Sequence, residues 1–195
     1  ILGIDATNIT QGGGISNISN ILNNKNEEIN KFEKIIIWGN QKTLKQVNSR
    51  KNIQKINLKS IENSPLKRIF WQFFSFEKEL KKYACNHALI LGGIYFFKDI
   101  PSTIILQNLL PFDEINSRRY RLIKRIKLLI QKRIFSHSIL KAKNVIFLTR
   151  SSKKIILNSL KIKLKNYKII PHGIDKDIIT KKILRKKKFN NNQEF

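Results

Sequence analysis

The sequence is short of acid. Against 39 lysines and arginines stand 13 aspartates and glutamates, a formal charge of +26 over 195 residues. So few carboxylates leave few candidates for a paired-carboxylate mechanism. Cys85 is the one cysteine, which excludes a disulfide framework and a cysteine-based metal cluster. It fits a reducing, cytoplasmic setting. The three histidines, His87, His137 and His172, are scattered and show no paired-ligand spacing, so no metal site is expected. There is no Gly-x-Ser-x-Gly nucleophile elbow. No apolar run approaches the roughly 20 residues that span a bilayer, and no signal peptide is visible. Methionine is absent and the first strand is already running at Ile1. The expectation is a fragment, or a chain whose first residues are missing.

The length suits one domain with a substantial core or two very small ones. The basic excess suggests an anionic partner, nucleic acid or membrane. A compositional cause competes, because the chain is crowded with Lys, Asn and Ile, as coding DNA rich in A and T produces. No aromatic-interleaved basic motif, zinc-finger spacing or helix-turn-helix signature occurs, which argues against nucleic acid.

The opening, ILGIDATNITQGGGISNISNIL, reads as a buried strand, a turn, three glycines (Gly12, Gly13, Gly14) and a helix with its apolar stripe at Ile15, Ile18, Ile21 and Leu22. Free N–H groups and the dipole at such a helix start attract anions, and glycine lets a phosphate approach closely. A tight turn that needs positive φ explains the glycines equally well. The dinucleotide fingerprint fails because Asn17 replaces its third glycine, and no Gly-Lys-Ser/Thr makes a P-loop.

Short β-branched runs then alternate with helical stretches. Strands are expected near 34–38, 52–58, 87–91, 102–106, 144–148 and 167–170. Between them, Gln41 to Val47 reads as helical. Pro65 opens a helix whose apolar face carries Ile69, Phe70, Phe73, Phe74, Phe76 and Leu80. Asp113 is a candidate N-cap for a long basic helix running to about Lys143, and Ser151 to Leu160 reads as another helix. The pattern predicts an α/β fold with a parallel sheet covered by helices on both faces. Residues 176–195, rich in Lys and Asn, read as linker or tail.

Ligands of open parallel sheets bind outside the carboxyl ends of the strands. Asp5 to Gly14, Gly39-Asn40, Gly92-Gly93, Gln107-Asn108 and Thr149 to Ser152 should meet there. They offer amides, hydroxyls and glycines suited to sugars and phosphates, with Asp5, Asp113 and Glu114 as the acids near the rim. No residue is singled out as catalytic. In the basic helix, Leu122, Ile123, Ile126, Leu129, Ile130 and Ile134 recur at helical spacing among Arg118, Arg119, Arg121, Lys124, Arg125 and Lys127. Either its apolar face lies on the sheet and its charges face water, or it attracts anionic lipid headgroups.

Taken in order, GIDATNITQGGGISN, GGIYFFKDIPSTIILQNLLPFD, NVIFLTRSSKKII and KIIPHGID resemble the N-terminal domain of family 4 glycosyltransferases, which are retaining enzymes of the GT-B fold. The resemblance spans about Ile1 to Asp175. It implies a Rossmann-like acceptor-side domain over 1–172, with 173–195 leading toward a donor-binding half. It also implies a nucleotide-sugar donor as co-substrate, no other cofactor, and a glycan or lipid-linked acceptor. The single cysteine and the basic helix set the expected location, in the cytoplasm or peripherally at the inner face of a membrane. The residues carried over are Gly12, Gly13 and Gly14 for donor phosphate or sugar. For acceptor or sugar the residues expected at the carboxyl ends of the strands are Asn8, Gly92, Gly93, Gln107, Asn108 and Thr149. Two positions depart from the family pattern. Gln107-Asn108 stands where many relatives have His-Asp, and Arg150 where many have glutamate. The rival readings are a non-enzymatic basic module on a membrane surface or nucleic acid, and a sugar-phosphate or nucleotide-binding α/β protein such as an epimerase.

Overall fold

The computed structural model describes residues 1–24, 27–92, 94–96, 99–113, 119–171 and 173. Gly93, Glu114, Arg118, His172 and the 176–195 stretch lie outside the described residues.

The fold is α/β and Rossmann-like. Seven strands make one sheet: β1 (Leu2–Ala6), β2 (Ile35–Gly39), β3 (Ile53–Asn57), β4 (His87–Leu91), β5 (Ser102–Leu106), β6 (Asn144–Phe147) and β7 (Tyr167–Ile169). Their spatial order is β3-β2-β1-β4-β5-β6-β7, and every neighbouring pair is parallel. Central strands of such a sheet are buried on both faces, which is why Ile35 to Trp38 is an unbroken apolar run, buried throughout.

The helices divide between the two faces. On one, α1 (Gly13–Asn23) and α2 (Gln41–Lys45) cover Ile4, Ala6, Ile35 and Ile37 with Ile18, Leu22 and Leu44. Ile21, expected in the stripe of α1, is exposed instead. The other face carries α5 (Phe76–Lys82), α6 (Leu122–Lys141) and α7 (Arg150–Leu160). There Phe76, Leu80, Phe135, Ile139 and Ile156 pack on Ile36, Trp38, Ile90, Ile104 and Phe147.

Three expectations about helices are corrected. The stretch from Pro65 to Leu80 is two helices, α4 (Pro65–Phe74) and α5, after a short α3 (Lys59–Glu62). Ser75 caps the end of α4 with its N–H on the Trp71 carbonyl, and the chain turns before Phe76 enters the core. The break separates the aromatics: Phe76 is fully buried, whereas Phe70 and Phe74 face solvent. Asp113 does not cap the long basic helix, and residues 114–118, which follow it, lie outside the described residues. It follows a 3-10 turn at Leu110–Phe112, and the basic helix begins only at Leu122, with Arg121 at its cap. Its apolar face does not lie wholly on the sheet either. Leu128, Phe135 and Ile139 are buried, but Leu122, Ile123, Ile126, Leu129 and Ile130 are exposed.

Gly3 sits where β1 and α5 approach most closely. A Cβ there would collide with Leu80 Cδ2 and stand 3.2 Å from both Cys85 Sγ and Trp38 Cζ3. Gly39 is roomier, with its nearest such contact, Leu44, at 3.4 Å. Overpacking a filled core costs about 1–3 kcal/mol. Gly3→Ala is therefore expected to lower unfolding free energy by about that amount in urea titrations, with Gly39→Ala costing clearly less.

Candidate functional site

The strand order reverses between β1 and β4, the switch point at which α/β sheets bind ligands. β1 is followed by α1 on one face and β4 is reached from the other, so the loops at their carboxyl ends part. A cavity of about 300 Å³ opens between them. Its floor is Asn8, Ile9, Gly92, Gln107 and Asn108. Pro65, Arg68 and Ile69 of α4 form one wall, and Lys127, Gln131, Ile134 and Phe135 of α6 form the other.

Beneath the floor, Asp5 is fully buried. Its Oδ1 accepts from the Thr7 backbone N–H at 2.9 Å and the Thr7 hydroxyl at 2.6 Å. Its Oδ2 accepts from Gln72 Nε2 at 2.6 Å. Burial pushes the Asp5 carboxyl above its ordinary 3.8, and the bonds from Thr7 and Gln72 offset part of that rise. Asp5 was expected near the rim. It is instead a buried fastening between β1 and α4, because the side chain at this register points under the helix and not out of the sheet.

The glycine loop is held from the β2 side. Asn40 caps α2 by accepting from Thr43 N–H at 2.9 Å, and its amide donates to the Ile9 carbonyl at 2.5 Å. The Thr43 hydroxyl donates to the same carbonyl at 2.6 Å. Gly39-Asn40 thus anchors the loop instead of facing the cavity.

The three glycines serve three ends. Gly12 has φ 67°, the left-handed region that favours glycine. Gly13 has open space where a Cβ would stand. Gly14 is crowded: a Cβ would meet Ile9 methyl carbons at 3.2 and 3.3 Å and Gln107 Oε1 at 3.5 Å. No side chain caps the start of α1, so its first N–H groups remain available to an anion. Gly12 itself lines a neighbouring groove of about 470 Å³ with Lys42 and Lys45.

Of the expected site residues, the fold thus gathers Asn8, Gly92, Gln107 and Asn108 in one cavity, with Gly14 against Gln107. Thr149 is not on its wall. Its hydroxyl accepts from Ser152 N–H at 2.9 Å and Ser152 Oγ accepts from Thr149 N–H at 3.1 Å, a capping box for α7. Gly93 and Arg118 lie outside the described residues. Arg119, Arg121, Lys124 and Arg125 are exposed ahead of or along the start of α6, away from the cavity floor.

The polar lining is amides and cations. Asn108 Oδ1 accepts from Leu110 N–H at 3.1 Å, which shapes the turn and leaves its NH₂ for other partners. Gln107 Nε2 is buried without a protein hydrogen-bond partner. Arg68 donates to the Glu62 carbonyl at 3.4 Å. Among the described residues no carboxylate lines the cavity, and no three His, Cys, Asp or Glu cluster as metal ligands. The amides and cations of this surface donate hydrogen bonds to hydroxyls and phosphates. Sequence reasoning missed Arg68 and Gln131. Their periodicity marks only helices, and nothing local says that α4 and α6 close over this floor. The chain matches no protein-family model and no curated protein.

Gly92 has φ 110°, and a Cβ there would stand 2.9 Å from Asn8 Cβ. Few non-glycine residues adopt that backbone. Gly92→Ala is expected to cost about 1–3 kcal/mol and to move the Asn8 amide resonance, which a melt and a heteronuclear spectrum measure together.

Asp5 yields a pH test. The unfolded chain loses this proton near 3.8 and the fold keeps it to higher pH. Between those points the native state holds more protons, so Asp5 removes stability as pH rises through the interval. In Asp5→Asn the new amide can donate to Gln72, whose Oε1 is buried and unpartnered, if that side chain turns over. The variant should match or exceed the wild type at neutral pH and lack this decline, as urea midpoints across the acid range would read.

Proposed function

We propose that this chain is the acceptor-side domain of a retaining glycosyltransferase. The intact enzyme would move a sugar from a nucleotide-sugar to a glycan or lipid-linked acceptor. One observation carries the reading: Asn8, Gly92, Gln107 and Asn108 share a single cavity at the switch point, where amides, Arg68 and Lys127 stand among apolar side chains such as Ile69, Ile134 and Phe135. In the proposed mechanism Gln107, Asn108, Asn8 and Gln131 hydrogen-bond acceptor or sugar hydroxyls. Arg68 and Lys127 offset phosphate charge. The open start of α1 at Gly12, Gly13 and Gly14 faces the donor's diphosphate.

The amides and cations of the described lining suit binding and orienting. The dipole of α1 and the two cations would stabilise charge on a departing diphosphate, and the donor-binding half would supply the remaining contacts. In this reading the 195 residues alone transfer no sugar.

Titration with a hexose 1-phosphate, followed by heteronuclear NMR, should shift Asn8, Gly92 and Gln107 with millimolar affinity, more than inorganic phosphate does. Gln107→Leu should weaken binding about 10-fold while leaving stability equal or higher, since it removes an unpaired buried donor. Shifts confined to surface lysines, equal for both ligands, would count against the proposal, as would sugar transfer by this chain alone.

A further inference from the structure

Among the described residues, most of the strongly exposed large apolar side chains lie on two helices that share one cavity. On α4 they are Leu66, Phe70 and Phe74, exposed by 76%, 67% and 63%. At spacings of four they form one line along the helix. On the first half of α6 they are Leu122, Ile123, Ile126, Leu129 and Ile130, with Ile123 reaching 84%. The inner residues of both helices line the switch-point cavity, so the apolar faces flank its mouth. Phe73 of α4 stacks on Phe96 at 3.8 Å between centroids, and Phe96 stacks on His137 of α6 at 5.2 Å. The two helices are therefore tied to each other.

We infer that α4 and the first half of α6 form a lipid-docking surface that seats the protein on an anionic bilayer with the cavity mouth at the headgroup layer. Solvated rings and branched chains in this number are uncommon on a monomer and mark an interaction site. The charges identify the partner. Neither Pro65–Phe74 nor Leu122–Lys141 contains an Asp or Glu. Lys67, Arg119, Arg121, Lys124, Arg125 and Lys127 stand exposed on or beside them.

Long basic side chains lay their stems along apolar neighbours and hold their heads at the polar boundary. A face that is apolar and exclusively basic complements acyl chains under anionic headgroups. It does not complement itself, since a second copy of a +26 chain would bring cations against cations. Among the described residues no helix is long and apolar enough to cross a membrane. This inference does not rest on sugar transfer. Combined with it, the acceptor is of the lipid-linked kind, its polar end presented at the cavity.

Flotation with vesicles of phosphatidylcholine, alone or mixed with phosphatidylglycerol, at low and high salt, tests the surface. The wild type should prefer the anionic vesicles by an order of magnitude or more at low salt. Lys124→Gln with Arg125→Gln should lose on the order of 10-fold at low salt and little at high salt. Phe70→Ser with Phe74→Ser should lose several-fold at both. These side chains are exposed, so thermal melts should remain at the wild-type midpoint. Equal partitioning to both vesicle kinds would overturn the inference. So would indifference to both double variants, or a dimer that Phe70→Ser with Phe74→Ser dissociates without changing vesicle binding.

Discussion

A carboxylate buried in a protein interior must be bonded or neutralised, and Asp5 imposes that requirement at the centre of the sheet. Thr7 meets it from the turn after β1, and Gln72 meets it from α4. The second bond joins residues 67 positions apart in sequence. It settles α4 over the carboxyl end of β1, so that Arg68 and Ile69, one turn earlier, face the cavity. The wall of the candidate site and the outward aim of Phe70 and Phe74 both follow from one polar contact under the helix.

The same economy of apolar burial runs through the cavity side of the molecule. The sheet centre is sealed by Trp38, Phe76, Leu80 and Phe147, while the elements around the cleft are held largely by hydrogen bonds. Asn40 and Thr43 grip Ile9, Asn108 shapes its own turn, and Thr149 with Ser152 caps α7. Capping and turn bonds of this kind contribute about 1 kcal/mol each. They fix directions more than they add stability.

The sheet was legible in the sequence, because Lys34 to Trp38 or Ser102 to Leu106 can hardly be anything but buried strands. The gathering of Asn8, Gly92, Gln107 and Asn108 was legible too, since residues after the strands of a parallel sheet meet at one end. What could not be read was depth and pairing. Asp5 looks like a rim acid until its register under α4 is known. Phe70, Phe74 and Phe76 are the same residue type at helical spacing, and only the break at Ser75 sorts them into outside and inside. Asp113 has the chemistry of a cap, yet the long basic helix starts only at Leu122, behind Arg121. Ile123 and Ile126 have the period of a core face, but α6 begins clear of the sheet and reaches it only from Leu128 onward. Arg68 and Gln131 carried no local signal, because their partners lie across a cleft that the tertiary fold creates.

The break at Ser75 has an evolutionary consequence. Along α5, Phe76 and Leu80 are locked in the sheet's core, whereas Gln72 is the only buried residue of α4. Selection on foldability therefore weighs on one helix and largely spares its neighbour. Folding leaves the residue types on the outer face of α4 open, so any demand on them comes from what that face meets and not from the sheet beneath. One scaffold can in this way acquire different surroundings for its cleft without first becoming unstable.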